Sequence, residues 1–234
     1  MRKFVLLFSL LIAYAVSAQD NYYTMYSFVV EPQDEGTVYQ LVDDYYSKNK
    51  PEGVFVRLFE NHFQDGSNNA THHIVFLGTQ EAVGKMYEGS NDKFALFLTQ
   101  LNQHIKEGAG SALGRHISLH GLTDGQRYPA QRIYLLDVDN TEAFDREHNK
   151  FQLKHNPDGV LVNLGTPILG QGVGKYNRWV IVGYKDMGTA IGGTDKLVSG
   201  AALEARLKAR DERRANNGEV KLVGSGMRIL LGAW

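Results

Sequence analysis

Histidine, arginine and tyrosine side chains are the groups in this chain that could do chemistry. Tyr26, Arg57, His116 and Arg132 could bind an anion or move a proton, because they offer a phenol, two guanidinium groups and an imidazole. The chain contains no cysteine. No serine stands in the glycine-flanked turn that is typical of serine hydrolases. The sequence therefore does not indicate nucleophilic catalysis.

The histidines do not form a recognisable metal-binding motif. His72 and His73 are adjacent, so on a strand their side chains would point to opposite faces. His116 and His120 would share a face, but they would lie ~13 Å apart at ~3.3 Å per residue. That separation is too large for one ion whose nitrogen ligands lie at ~2 Å. The sequence therefore disfavours a metal site.

Composition excludes two classes of partner. The formal net charge is −1, with 22% charged residues, which gives no general attraction to nucleic acid or to anionic membranes. The glycine-rich segment from Gly165 to Gly174 includes the run Gly170–Gly174, but it lacks the Gly-Lys-Ser/Thr ending of a phosphate-binding loop. We interpret it as a loop that joins two strands, and we expect no nucleic-acid partner.

The most informative pattern is an internal repeat. The sequence PEGVFVRL at residues 51–58 recurs as PDGVLVNL at residues 157–164, which is 106 residues later. The same spacing aligns His73 with Trp179 and Arg57 with Asn163. A chain of 234 residues that repeats itself at about half its length is most simply two copies of one small domain.

Each copy is predicted to contain the same order of elements, β-α-β-β-α-β, which is the ferredoxin-like arrangement. The periodicity of apolar residues distinguishes the strands from the helices. Strands are predicted over residues 25–30, 54–59, 72–77 and 115–120, and over 133–138, 160–164, 178–184 and 227–231. Helices are predicted over residues 37–48, 80–87, 92–106, 141–154 and 201–215, with Thr141 as an N-cap.

With this order and duplication, the chain resembles the dimeric α/β-barrel superfamily, as a fused pseudo-dimer. The resemblance implies an α+β fold in which two antiparallel sheets pack face to face to form an α/β barrel. Members of the superfamily include cofactor-free monooxygenases, haem-degrading and haem-dependent enzymes, and small binding or stress-response proteins. Fusion supplies the pairing that separate subunits would supply by dimerising, so we expect a monomer.

The N-terminus has the three parts of a signal peptide. Arg2 and Lys3 are followed by an apolar run from Phe4 to Val16, and small residues precede Gln19. We therefore expect a signal peptide at 1–18, a first repeat at 19–122, a linker at 123–130 and a second repeat at 131–234. After cleavage the protein would have no membrane anchor and would be periplasmic or secreted.

Strand alternation predicts which side chains face the space between the sheets. Val54, Val56 and Leu58, like Val160, Val162 and Leu164, are assigned to the face under the helices. Arg228 is interpreted as the counterpart of His116. The residues predicted to line a small-molecule pocket between the sheets are Tyr26, Phe28, Arg57, Phe59, His116, Ser118, Arg132, Tyr134, Asn163 and Arg228.

A lining of aromatic, arginine and histidine side chains suits a small polar-aromatic or anionic molecule. The same residue types also occur in a packed interface between two domains. Our first functional hypothesis is an exported binding or interaction protein that uses no cofactor. The alternatives are a cofactor-independent monooxygenase that acts on a small aromatic substrate, and a haem-associated variant in which a pocket histidine such as His116 binds the iron.

Overall fold

The computed structural model of this chain describes residues 21–64, 69–89 and 91–234. The signal peptide predicted at residues 1–18 lies outside the described residues. No helix in the described part is both long enough and apolar enough to span a membrane.

The first repeat has the predicted order of strands, with the second helical connection divided into two helices. Its elements are β1 (Asn21–Val29), α1 (Glu35–Asn49), β2 (Val54–Gln64), β3 (His72–Thr79), α2 (Gln80–Lys85), α3 (Asp92–Leu101) and β4 (Glu107–His120).

The second repeat follows the same order. Its elements are β5 (Ala130–Val138), α4 (Thr141–His155), β6 (Leu161–Gly170), β7 (Arg178–Tyr184), α5 (Met187–Gly192), a 3₁₀ helix (Thr194–Leu197), α6 (Gly200–Asn216) and β8 (Val220–Ala233).

Among the described residues, the strands form one closed antiparallel barrel rather than two separate sheets. The strand order is β4-β1-β3-β2 in the first repeat and β8-β5-β7-β6 in the second. The two four-stranded units are joined by hydrogen bonds at two seams, β2 with β8 and β4 with β6. The α+β barrel that the resemblance implies is therefore the observed fold, and its inner face encloses a space lined by both repeats.

The helices cover the outside of the barrel, as the repeat predicted. In α1, Val38, Val42 and Tyr46 recur every four residues and are buried against β2. Val54, Val56 and Leu58 of β2 lie in the same core. Val160, Val162 and Leu164 form the equivalent core under α4 with Phe144. The predicted helix-facing side of both strands is confirmed.

Several predicted boundaries are wrong. The helix predicted to reach residue 106 ends at Leu101, and β4 begins at Glu107. β6 continues to Gly170, where a hairpin loop from Gly165 was predicted, because its last residues pair with β4. The N-cap of α4 is Asn140, not Thr141, since its side chain accepts a hydrogen bond from the backbone N–H of Ala143.

Candidate anion-binding cavity

The barrel encloses a cavity of about 290 Å³ whose wall includes residues from all eight described strands. Much of the wall is apolar and is made of Met25, Val75, Leu77, Ile133, Leu135 and Ile181. The polar side chains are concentrated near the two seams. The cavity therefore has the composition of a small-molecule site, with an apolar body and a few polar groups that can orient a ligand.

Arg228 of β8 is the most deeply buried cation of the cavity wall. Its Nε and Nη2 both donate to Oε1 of Gln131, at 3.0 and 2.9 Å. Its guanidinium carbon lies 3.7 Å from the centre of the Phe59 ring, a cation–π contact. Burial, followed by the field of Arg57, lowers the pKa of Arg228 to about 9. Its described partners are thus a neutral amide and an aromatic ring, with no carboxylate.

Arg57 of β2 is the second cation of the wall. Among the described residues its guanidinium has neither a hydrogen-bond partner nor an ion-pair partner. Burial lowers the pKa of Arg57 as well. None of the described residues that line the cavity is Asp or Glu, whereas Lys175 is an exposed member of the lining. Because even a half-buried charge without a partner is unfavourable, this wall is suited to a ligand that brings negative charge.

His116 of β4 lies in the wall at the other seam. Its Nδ1 is 2.9 Å from Oδ1 of Asn163. Since Oδ1 can only accept, Nδ1 carries the proton and Nε2 keeps a lone pair. Nε2 is buried and has no hydrogen-bond partner in the described part of the chain. Burial lowers the pKa of His116, the bond to Asn163 raises it, and the charge of Arg57 lowers it further. The imidazole is therefore a neutral base at pH 7.

An aromatic cluster supports His116. The rings of Tyr23 and Trp179 contact it edge-on, with centroids 5.8 and 5.3 Å away. Nε1 of Trp179 donates to the hydroxyl of Tyr23 at 3.0 Å. This packing fixes the plane of the imidazole.

A chain of hydrogen bonds lines the cavity beside Arg228. Nδ2 of Asn61 lies 2.8 Å from Nε2 of His73, which must accept because an amide nitrogen only donates. Nδ1 of His73 then donates to Oγ of Ser27 at 2.8 Å, and Ser27 donates to Oε1 of Gln171 at 3.3 Å. The chain connects three strands of the first repeat to the turn after β6.

The structure brings half of the predicted lining residues together and corrects the rest. Arg57, Phe59, His116, Asn163 and Arg228 line the cavity. Ser118 is buried but is not among the lining residues. Four predictions are wrong because their side chains lie on the outer face: Tyr26, Phe28, Arg132 and Tyr134.

These errors share one physical cause, which is that the outer and inner faces of β1 and β5 are both rich in apolar residues. On β1, Phe28 packs in the helix-covered core, while Ser27 faces inward to His73. On β5, Ile133 lines the cavity and Arg132 lies outside, donating to the carbonyl of Ile191 at 2.8 Å. Alternation identifies a face only where one side is clearly more polar than the other.

The pairing register also corrects one equivalence between the repeats. Asn61 pairs with Arg228, and its repeat counterpart Pro167 pairs with Gly114. Arg228 is therefore equivalent to Gly114, not to His116 as predicted. The bulges fall at equivalent places in both seams, so they do not cause this shift. The last strands are offset by 114 residues instead of 106 because the connection before β8 is eight residues longer than the connection before β4.

Five further lining residues were not predicted from the sequence, namely Tyr23, His73, Gln131, Gln171 and Trp179. One signal could have found two of them, because the 106-residue spacing places Trp179 over His73. Both side chains line the cavity. A repeat position that carries two different large polar-aromatic side chains is therefore a candidate for the inside of the barrel.

A larger depression of about 420 Å³ lies outside the barrel, between α2 and strands β1, β4 and β6. Its described lining contains no charged side chain. The hydroxyls of Tyr26 and Tyr87 hydrogen-bond to each other there at 2.8 Å. Despite its larger volume, it lacks the unpaired cations and the base that distinguish the interior.

A bound metal ion and a haem would need different ligands from this cavity. In the described ranges, no three His, Asp or Glu side chains converge as ligands for a metal ion. A haem needs an axial ligand, and His116 has the protonated, hydrogen-bonded Nδ1 of such a ligand. The cavity of about 290 Å³ lies at the ~300 Å³ lower end for pockets that hold drug-sized molecules, which suits a compact ligand.

Comparison of structures places this architecture among known folds. A proposed monooxygenase from Lactobacillus acidophilus superposes with a TM-score of 0.61 and 12% sequence identity, covering 92% of this chain and 96% of its own. A proposed monooxygenase from Fusobacterium nucleatum has a TM-score of 0.58 and 16% identity, covering 92% and 94%. An anthrone oxidase-like protein has a TM-score of 0.53 and 11% identity, covering 93% and 94%.

This chain has the dimeric α/β-barrel fold. At these identities the likeness concerns the fold alone. Neither a protein-family profile nor a curated protein sequence matches the chain. The chemistry of the barrel must therefore be argued from its own cavity.

Proposed function

We propose that the barrel oxidises a small hydroxy-aromatic molecule with dioxygen, without a cofactor, and that His116 is the base. The observation that carries the proposal is the lone pair on Nε2 of His116, which is buried and has no partner in the described part of the chain. The nearby charge of Arg57 would stabilise the anion that forms when His116 removes a proton. The barrels that superpose on this chain and are named for oxygenation support the same class of reaction.

An anthrone illustrates the chemistry. The hydroxyl of its enol tautomer transfers a proton to Nε2 of His116, and the enolate carbon becomes electron-rich. That carbon reduces dioxygen by one electron and then combines with the superoxide to form a C–O bond. The peroxide regains the proton from His116 and loses water, leaving a carbonyl. One oxygen atom enters the product and the other leaves as water, so R₂CH₂ + O₂ gives R₂CO + H₂O.

The test is oxygen uptake by the purified protein with anthrone, followed by the absorbance of anthraquinone. His116→Gln should lower kcat by about 10²- to 10⁴-fold, because a general base typically contributes that much. Its Kd for anthrone should change little, since glutamine keeps a polar side chain of similar reach. His62→Gln, outside the cavity lining, is the matched control and should turn over normally.

The same cavity could bind a ligand without turning it over, which is our second candidate. The unpaired Arg57 favours binding of an anion whether or not oxygen reacts. Binding without oxygen uptake for anthrones and hydroquinones would reject the oxygenase and leave the binding protein. A sharp Soret band after addition of haemin would contradict the cofactor-free proposal.

Export remains part of the proposal. A leader at residues 1–18 would place the barrel in a periplasm or outside the cell. N-terminal sequencing of the protein from its host should begin at Gln19, and an intact Met1 would reject the leader.

A further inference from the structure

The two guanidinium groups give the cavity wall a positive charge that the proposed reaction does not neutralise. Arg57 and Arg228 both lie in the wall, and the positive charge of each disfavours protonation of a neighbouring histidine, His116 and His73 respectively. No described lining residue carries a negative charge. The described wall therefore has an excess of positive charge in a protein whose formal net charge is −1.

Proton transfer to His116 leaves this excess unchanged. A neutral phenol or enol that gives its proton to Nε2 becomes an anion, but His116 becomes a cation at the same time. The sum over the cavity stays the same before and after the step. A ligand that compensates the guanidinium groups must therefore already carry its own negative charge when it binds.

The position of the charges indicates where that group would lie. Arg57 lies on β2 two residues before Phe59, the ring on which Arg228 stacks, and all three line the same cavity as His116. The two guanidinium groups therefore belong to one seam, and His116 lies at the other. A ligand with its hydroxyl at His116 would extend its other end across the cavity toward Arg57 and Arg228.

The neutral polar groups of the wall also favour a ligand that accepts hydrogen bonds. Gln171 uses its Oε1 to accept from Ser27, and Asn163 uses its Oδ1 to accept from His116. Their amide nitrogens have no hydrogen-bond partner among the described residues, so both can donate to a ligand. Arg57 adds a complete guanidinium fork, which matches a carboxylate with two parallel hydrogen bonds.

We propose that the ligand of this cavity is an aromatic acid, with a carboxylate held by Arg57 and Arg228 and a hydroxyl directed to His116. The role of the hydroxyl rests on the proposed oxidation, whereas the carboxylate is required by the charge of the wall alone. The two arginines are therefore specificity-determining residues that select carboxylated over neutral aromatic molecules.

The experiment compares two probes of the same shape, 6-hydroxy-2-naphthoate and its neutral carboxamide, by calorimetry under argon at pH 7. The acid should bind about 10- to 100-fold more tightly, as expected when charge-assisted hydrogen bonds replace neutral ones. Equal affinities would overturn the proposal. Inorganic phosphate that saturates the cavity at a lower concentration than the acid would overturn it too, by assigning the wall to an inorganic anion.

Variants identify the residues that make the selection. Arg228→Gln should weaken binding of the acid by about 10- to 100-fold and change the affinity for the amide by less than about threefold. Arg57→Gln should act in the same direction, and it tests the proposal even if Arg228→Gln fails to fold. Arg132→Gln, on the outer face, is the control and should keep the preference. A preference that survives in both cavity variants would overturn the proposal.

The measurement also separates this inference from the proposed oxidation, because binding under argon needs no turnover. His116→Gln should keep the difference between acid and amide. A clear preference for the acid in a protein that never consumes oxygen would reject the oxidation and leave the aromatic-acid site in place.

Discussion

The seam between β2 and β8 and the seam between β6 and β4 occupy equivalent positions in the two repeats, but their inner faces differ. At the first seam, Arg57, Phe59 and Arg228 form a cationic wall. At the second, the equivalent residues are Asn163, Gly165 and Gly114. His116, whose repeat counterpart is Leu230, supplies the base there. One scaffold thus presents cations at one seam and a neutral base at the other.

The difference teaches how a duplicated barrel can make an asymmetric site without changing its backbone. A β-carbon on Gly165 would lie 2.0 Å from the Trp179 ring, and one on Gly114 would lie 2.4 Å from the Tyr23 ring. The two glycines therefore leave the room that Trp179 and Tyr23 fill around His116. In the first repeat the side-chain sizes are exchanged. The large Phe59 occupies the position of Gly165, and it pairs with His73, which is smaller than Trp179.

The largest expected effect that tests this comparison is on acid stability. Burial, followed by the fields of Arg228 and His72, lowers the pKa of His73 to about 3, whereas its counterpart Trp179 cannot titrate. Below pH 6.5 the unfolded chain binds a proton that native His73 does not, so the free energy of unfolding falls as pH falls toward 3. His73→Gln should flatten this fall by roughly 1.4 kcal/mol per pH unit, or roughly 3 kcal/mol between pH 6.5 and 4.

Urea unfolding at pH 7, 6, 5 and 4 measures this slope. His148 is a matched control outside the cavity, because burial, then Arg213 and His120, lower its pKa to about 3 as well. His148→Gln should flatten the curve by a similar amount, and the double variant by the sum. An unchanged slope in His73→Gln would show that the cationic wall does not govern acid stability.

The second effect concerns the small and large side chains that are exchanged between the two repeats. Gly165→Ala should lower the free energy of unfolding by about 1–3 kcal/mol, the usual cost of overpacking, because the new methyl group meets Trp179 and the carbonyl of Arg115. Adding Trp179→His, which copies the first repeat, should recover part of the loss. If the double variant loses more unfolding free energy than the two single variants together, Gly165 and Trp179 do not compensate each other.

The smallest effect is a gain in stability. Arg57→Met should raise the free energy of unfolding of the ligand-free protein by about 1 kcal/mol, or ~2–4 °C in Tm, because it removes a half-buried charge that has no described partner. Arg132→Met on the outer face loses a hydrogen bond to Ile191 and should give no gain. A lower Tm for Arg57→Met would mean that Arg57 has a structural role, which would weaken the case for an anion site.

Much of the architecture could be predicted because it depends on local patterns. The repeat of residues 51–58 at 157–164 predicted two equivalent units, and the apolar alternation of Val54, Val56 and Leu58 identified a helix-covered face. The same reasoning placed Arg57 and Phe59 on the inside, where they are found. It failed on β1, since Tyr22, Tyr23, Tyr26 and Phe28 place aromatic rings on both faces.

The rest of the site depends on contacts between residues that are far apart in the chain. The last strands of the two repeats are 114 residues apart rather than 106, so the counterpart of Arg228 is Gly114, and only the strand pairing reveals this offset. Trp179 and Tyr23 are 156 residues apart, yet they share a hydrogen bond beside His116. Nothing in the order of residues predicts which ring fills the space above a glycine.

The sequence by itself determined that the chain consists of two ferredoxin-like repeats, because helices and strands follow periodicities of a few residues. Only the tertiary structure decided that the repeats close into one barrel, and that Arg57 and Arg228 face a cavity whose described lining has no carboxylate. The physical reason is that the energy of a charge depends on everything that surrounds it, and in this barrel those surroundings come from both ends of the chain.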